Sequence, residues 1–190
     1  MANREEKRNL ETIPVGSLGI ISLPGCKPLG EKVDQYLVKW RAERESEHKE
    51  SLAFAGYQRE SYLLDAKVPR FGSGEAKGTI EESVRGDDLY FLVDVCSNSL
   101  TYSLCGMTNH MSPDDHFQDL KRVIAATTGK ARRINVIMPF LYESRQHKRP
   151  SRESLDCALA LQELVSMGVD NIITFDAHDP RVQNAIPLHG

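Results

Sequence analysis

Nowhere in its 190 residues does the chain carry an apolar run near the roughly 20 residues that a membrane-spanning helix requires. The opening residues, Met1-Ala2-Asn3-Arg4-Glu5-Glu6-Lys7-Arg8, have no apolar stretch either, so no secretory leader is expected. Charge of one sign is also scarce. The net charge of −3 provides no overall attraction to nucleic acid or to an anionic membrane, so neither is expected as a partner and any positive field has to be local. The four cysteines, Cys26, Cys96, Cys105 and Cys157, form no C-x-x-C pair. They read as reduced thiols of a cytoplasmic protein. A zinc site built from Cys105 with His110 or His116 is disfavoured, because no second close-spaced ligand pair accompanies it. What is present, 40% hydrophobic and 27% charged residues, suits a soluble domain large enough to bury a core without staples.

Residues 1–17 predict a charged, flexible lead-in, and residues 18–190 one domain. Leu18 to Leu23 reads as a short buried strand. Pro28 opens a helix with apolar positions Leu29, Val33, Leu37 and Trp40, whose far end from Arg41 to Glu50 is solvated. Leu52–Tyr57 and Ser61–Phe71 read as strands, Gly72-Ser73-Gly74 as a turn, and Gly78–Val84 with Leu89–Val95 as a strand pair broken at Arg85-Gly86-Asp87-Asp88. The second of that pair is almost wholly apolar, as a strand covered on both faces should be. Ser97 to Met111 has no clear period and reads as a loop or insertion. Ser112, Pro113, Asp114 and Asp115 then start a helix with stripe Phe117, Leu120 and Ile124, stopped at Gly129. Ile134–Met138 is a strand. Ser151 is the expected cap of a further helix with Leu155, Ala158, Leu161 and Leu164 inward and Gly168 at its end, and Ile172–Phe175 is the last strand. This order predicts an α/β fold, a mostly parallel sheet flanked by helices on both faces.

The most informative segment is Ser144-Arg145-Gln146-His147-Lys148-Arg149-Pro150-Ser151-Arg152-Glu153. A cationic loop follows one predicted strand, and Asp176-Ala177-His178 follows another. Ligands of open α/β sheets collect outside the carboxyl ends of the strands. Arginine offers a planar fork to phosphate oxygens, and lysine adds a point charge. Each part has a plainer reading when taken alone. The basic run is then a solvated face, His178 a structural histidine, and Asp176 a helix cap. Arg85 with Asp87 is an ordinary turn pair, and His48, His110 and His116 carry no site. Phe71 reads equally as a core residue or an exposed ring, and Glu75 as a turn acid or a hydrogen-bond acceptor for a ligand.

Five segments in order change that balance: Phe71-Gly72-Ser73-Gly74-Glu75, Ile80-Glu81-Glu82-Ser83-Val84-Arg85-Gly86, Arg145-Gln146, Ser151-Arg152-Glu153 and Asp176-Ala177-His178. Together they resemble the amino-terminal domain of ribose-phosphate diphosphokinase (phosphoribosyl pyrophosphate synthetase), over roughly residues 18–188 with an insertion near 98–113. The resemblance implies a phosphoribosyltransferase-like fold and transfer of the β,γ-diphosphoryl group of ATP to the C1 hydroxyl of ribose 5-phosphate. It implies ATP contacts at Arg145 and Gln146, to which Lys148 or Arg149 could add charge for ATP, a magnesium-linked position at His178 with Asp176, and an adenine site made by Phe71 and Glu75 of a neighbouring subunit. A homo-oligomer and a regulatory phosphate position at Ser83 and Arg85 follow from it. The carboxyl-terminal domain that handles ribose 5-phosphate has no match here, so the chain alone is expected to be inactive.

Four departures stand out. Ser73 and His147 occupy positions where the family usually has aspartate. The stretch at Gln183-Asn184-Ala185 is short and lacks a carboxylate, and His189 falls where another aspartate is expected. The changes at Ser73, His147 and Ala185 favour the competing reading, a non-catalytic regulatory or scaffold paralogue that oligomerises with active subunits, and the retained Arg145, Gln146 and His178 oppose it. An ordinary phosphoribosyltransferase is disfavoured, because no two-acid loop followed by a glycine-threonine turn is present.

Overall fold

The computed structural model describes residues 15–46, 59–148 and 150–186. Most of the lead-in, the Leu52–Tyr57 strand expectation, His48, Arg149 and His189 lie outside the described residues. Four strands form the main sheet: β1 (Leu18–Ser22), β4 (Asp88–Leu92), β7 (Arg133–Ile137) and β8 (Asn171–Ile173), side by side in that order. Every pair in it is parallel. Helix α1 (Lys27–Ser46) covers one face, and α2 (Pro113–Thr127) and α3 (Asp156–Ser166) cover the other. The expected fold class is therefore the observed one.

Side-chain alternation explains the two layers. Ile21, Leu89, Phe91, Ile134 and Val136 turn toward α2 and α3 and join Leu120, Ile124, Leu161 and Leu164. Ile20 and Leu92 turn the other way and meet Tyr62 with Val33, Leu37 and Val38 of α1. A strand with both faces covered has to be apolar throughout, which is why β4 shows no alternation in sequence. Each fully buried chain of this size contributes about 1.5–3 kcal/mol. Helix α2 begins as expected: Ser112 accepts from the Asp115 amide while the Asp115 carboxylate accepts from the Ser112 amide.

Several expectations are corrected. The inward face of α1 is Gly30, Val33, Asp34 and Leu37, whereas Leu29 and Trp40 are exposed. Asp34 is buried because it works as an anchor: its carboxylate accepts from the Tyr62 amide at 2.6 Å and the Ser61 hydroxyl at 2.9 Å. The Ser61–Phe71 segment is not one strand. It makes a bridge at Leu63 to Ile20 and then a two-residue strand, β2 (Ala66–Lys67). The Gly78–Val84 segment contributes only β3 (Thr79–Ile80), which pairs with β2 and not with the Leu89–Val95 segment. The latter had its partners in β1 and β7 instead. Ser97–Met111 contains a hairpin of β5 (Thr101–Leu104) and β6 (Met107–His110). Helix α3 starts at Asp156 behind Leu155, not at a Ser151 cap. The Ser151 hydroxyl bonds to Glu153, and the helix begins only where Cys157, Ala160, Leu161 and Leu164 reach the core.

A polar chain crosses the amino ends of the central strands. Asp88, opposite Arg133 in register, accepts from Arg133 Nε and Asn135 Nδ2, both at 2.8 Å. Asn135 also donates to Leu89 O at 2.9 Å and accepts from Asn171 of β8 at 2.7 Å. Three of the four strands are thereby linked. Replacing Asp88 with alanine removes the acceptor for both a guanidinium and a buried amide. The expected loss in urea unfolding is about 2–4 kcal/mol, with Asp88→Asn milder because it keeps one acceptor. A loss below about 0.5 kcal/mol would show that the network does not hold the strands.

Candidate functional site

Beyond their formal ends the sheet strands stay connected, so their carboxyl-terminal loops form one continuous rim. Leu23 N donates to Leu92 O, Val93 N to Ile137 O, and Met138 N to Ile173 O. Leu141 N donates to Asp176 O at 3.1 Å, and Phe140 bridges to Asp176 in parallel. The basic loop after β7 leaves this rim through a tight turn. Ser144 N donates to Leu141 O, Gln146 N to Glu143 O, and Glu143 sits at φ 53°. Tyr142 fastens the turn to α2: its ring stacks on Phe117 at 4.3 Å and its hydroxyl donates to Asp114 at 2.6 Å. Burial and the nearby Asp114 carboxylate push the Tyr142 phenol well above its ordinary range.

Arg145, Gln146 and Lys148 are exposed at this rim. Arg145 lines a cleft of about 230 Å³ with Val95 and Cys96 from the segment after β4 and with Phe140 and Ser144. The Ser144 hydroxyl is buried there and has no hydrogen-bond partner among the described residues. The structure brings Asp176 and His178 to the same rim. The His178 ring lies 5.2 Å from that of His147, centroid to centroid. His147 itself is held on both sides, with Nδ1 3.1 Å from Ser144 O and Nε2 3.3 Å from Asp179 Oδ2. Both partners are acceptors. A neutral ring offers a hydrogen to one of them, and the imidazolium offers one to each. Asp179 is also forked by Arg181, whose guanidinium and amide, with help from His147, hold the carboxyl well below the usual carboxylate range. Sequence reading missed Asp179, although its place directly after Asp176-Ala177-His178 was a usable signal. Among the described residues no group of three or more His, Cys, Asp or Glu side chains is arranged to hold a metal ion.

The remaining expected residues lie elsewhere. Phe71 and Glu75 share a turn of their own, closed by Phe71 N donating to Glu75 O at 2.7 Å. Phe71 is 52% exposed, which decides against a core role. Ser73, in place of the aspartate, donates its hydroxyl to Glu75 at 2.9 Å. Ser83 and Arg85 are exposed and precede β4, at the opposite end of the sheet from Arg145.

The family model of the N-terminal domain of ribose phosphate pyrophosphokinase matches residues 18–168. A ribose-phosphate pyrophosphokinase of Bacillus caldolyticus is 30% identical over 123 residues, which are 64% of this chain and 35% of that protein. A putative ribose-phosphate pyrophosphokinase 2 of Streptococcus mutans is 34% identical over 115 residues, 60% of this chain and 31% of that one. The chain thus spans about a third of the length of these curated relatives. Among solved structures, phosphoribosylpyrophosphate synthetase from Mycobacterium smegmatis superposes with a TM-score of 0.59 at 20% identity, over 89% of this chain and 45% of that one. That likeness speaks for the fold.

The four thiols differ in a way that reports on the packing. Cys96 and Cys105 are exposed, whereas Cys26 and Cys157 are buried. Desolvation and the Asp94 carboxylate push the Cys26 thiol up to about 11, so it stays protonated at pH 8. Titration with a chromogenic disulfide at pH 8 is expected to find two fast thiols in the folded chain and four after unfolding. Fast reaction of Cys26 or Cys157 would contradict this packing.

Proposed function

The chain belongs to the ribose-phosphate pyrophosphokinase family through its N-terminal domain, and on that premise we propose that it is the ATP-side domain of a ribose-phosphate diphosphokinase. The observation that carries the proposal is the placement of Arg145 in a cleft at the carboxyl ends of the two central strands, with Gln146 exposed beside it and His178 on the same rim. In the proposed reaction the C1 hydroxyl of ribose 5-phosphate attacks the β-phosphorus of ATP. The bond from that phosphorus to the α-phosphate oxygen breaks, and AMP leaves. Such transfer depends on alignment and charge neutralisation more than on covalent help. Arg145 would fork two phosphate oxygens, Lys148 would add positive charge, and Gln146 would orient the chain of phosphates. The unpartnered Ser144 hydroxyl offers a further donor at the cleft.

Phe71 and Glu75 are assigned to the adenine of an ATP held by a neighbouring subunit, which makes the protein a homo-oligomer. Phe71 is exposed and free to stack. Glu75 is oriented by Ser73 and keeps acceptor capacity for the adenine amine. Asp176 and His178 are assigned to the metal end. One carboxylate and one imidazole do not make a magnesium cage, but they fit an ion carried mostly by phosphate oxygens and water. Magnesium, when bound, would neutralise the transferring group. Ser83 and Arg85 are assigned to a regulatory phosphate, away from the ATP site. The protein is proposed to work in the cytoplasm. Ribose 5-phosphate would be held by the part of the relatives that this chain does not span, so the chain alone binds nucleotide without turnover.

One observation favours a second reading, the non-catalytic paralogue. His147, in place of the aspartate, is engaged by Asp179 and Ser144 rather than left open toward phosphate.

Calorimetry with a non-hydrolysable ATP analogue and magnesium, with light scattering to fix the oligomer, separates the two. Saturable binding that weakens about 10- to 100-fold in Arg145→Ala, as loss of a charge-assisted contact predicts, supports the catalytic reading. No binding by an intact oligomer rejects it in favour of the paralogue.

A further inference from the structure

The hairpin of β5 and β6 is built as a stiff, anchored element. Its two-residue turn, Cys105-Gly106, has both residues at positive φ, 51° and 80°, the conformation that matches the twist of paired strands. Its base is tied to the start of α2 and to the segment after β4. His116 Nε2 lies 2.9 Å from Ser97 O, His110 Nδ1 lies 2.8 Å from Asn98 O, and Met111 N donates to Leu100 O at 2.9 Å. Its far end grips the Phe71–Glu75 turn at alternate residues. The Tyr102 ring lies 4.7 Å from the Arg70 guanidinium, which also pairs with Asp119 of α2 at 2.8 Å. Cys105 N donates to Gly72 O at 3.0 Å. Leu104 occupies the space beside Gly74, where a Cβ would fall 2.7 Å from Leu104 Cδ1 and where φ is 88°. These contacts fall on residues 70, 72 and 74. Among the described contacts, none from the hairpin engages the Phe71 ring or the Glu75 carboxylate.

We infer that the β5–β6 hairpin is a positioning clamp, which holds the Phe71–Glu75 turn in one conformation with the ring and carboxylate presented outward, and thereby sets affinity for the base of the nucleotide. The inference rests on the assignment of Phe71 and Glu75 to adenine. Its physical content is pre-organisation. A turn fixed before binding does not have to be ordered by the ligand, so affinity for the group it contacts is higher. Tyr102, Leu104 and the Cys105 amide act through the turn and are positioning groups rather than ligand contacts. Hairpin and clamped turn form one unit, because Arg70 is shared between the Tyr102 ring and the α2 carboxylate Asp119.

The test is the double variant Tyr102→Ala/Leu104→Ala against the unaltered chain, with Tyr102→Phe as the conservative control. Without ligand, amide exchange at Phe71 and Gly74 is expected to speed up about tenfold, with the amides of α2 unchanged as evidence of an intact fold. In the oligomer, affinity for the non-hydrolysable ATP analogue is expected to fall about five- to tenfold, while affinity for tripolyphosphate, which has no base, stays the same. Tyr102→Phe keeps the ring face and should behave as the unaltered chain. Unchanged exchange at Phe71 and Gly74, or equal weakening of both ligands, overturns the clamp. Should the unaltered chain bind neither ligand, the nucleotide assignment fails separately, and the exchange pattern alone decides whether the turn is clamped.

Discussion

The register of the two central parallel strands is the constraint on which the site depends. A strand slipped by one residue would turn its inward set outward and shift its carboxyl-terminal loop along the rim. Two things prevent this at the β4–β7 pair. The apolar residues Phe91 and Val136 need one particular face, and the Asp88–Arg133–Asn135 contacts need one particular pairing. Hydrophobic burial is non-directional and tolerates near misses. The polar contacts are directional and do not. With the amino ends fixed this way, Leu92, Ile137 and Ile173 finish where the Cys96, Arg145 and His178 segments meet, and the cleft follows from the sheet.

The second layer works by the same division of labour. Helix α1 covers its face of the sheet with few large apolar chains, and its buried Asp34 compensates by accepting from the Ser61 and Tyr62 backbone and hydroxyl groups. That contact delivers Tyr62 into the small core and starts the path leading to the Phe71 turn. On the other side Asp119 does the equivalent. It would be costly as an isolated buried carboxylate, and desolvation does raise its pKa, but Arg70 and Arg122 offset that cost. Two buried acids, one on each face, thus anchor the irregular segment between β1 and β4.

Legibility in the sequence followed the range of the interactions. The strands β1, β4 and β7 were readable because burial on both faces demands continuous apolar runs, and α2 because its capping box is local to four residues. The hairpin was not. Thr101-Tyr102-Ser103-Leu104 alternates for only four residues, and what stabilises it is the turn around Gly72, some thirty positions earlier. The phase of α1 was misread for a related reason. Trp40 is the obvious apolar candidate, yet the inward position belongs to Asp34, whose partners lie 27 and 28 residues away. At the site, Arg145 and His178 were legible as charged residues following predicted strands. Asp179 offered only its position directly after His178 as a signal, because its role depends on a contact with His147 that the fold creates.

That contact bears on how the departures at the site relate to one another. The family resemblance places an aspartate at the position of His147, and taken alone that change removes a carboxylate from the rim. In this chain Asp179 already places a carboxylate 3.3 Å from the His147 ring. An aspartate at 147 would set two negative groups side by side in a half-buried place, where like charges disfavour each other strongly. The histidine instead lies between two acceptors, Asp179 and Ser144 O, and Arg181 neutralises the far side of Asp179. The substitution at 147, the carboxylate at 179 and the guanidinium at 181 therefore form one rearranged charge set. A carboxylate thus stands beside position 147 after all, supplied across the rim by the loop that follows β8 and fixed there by Arg181.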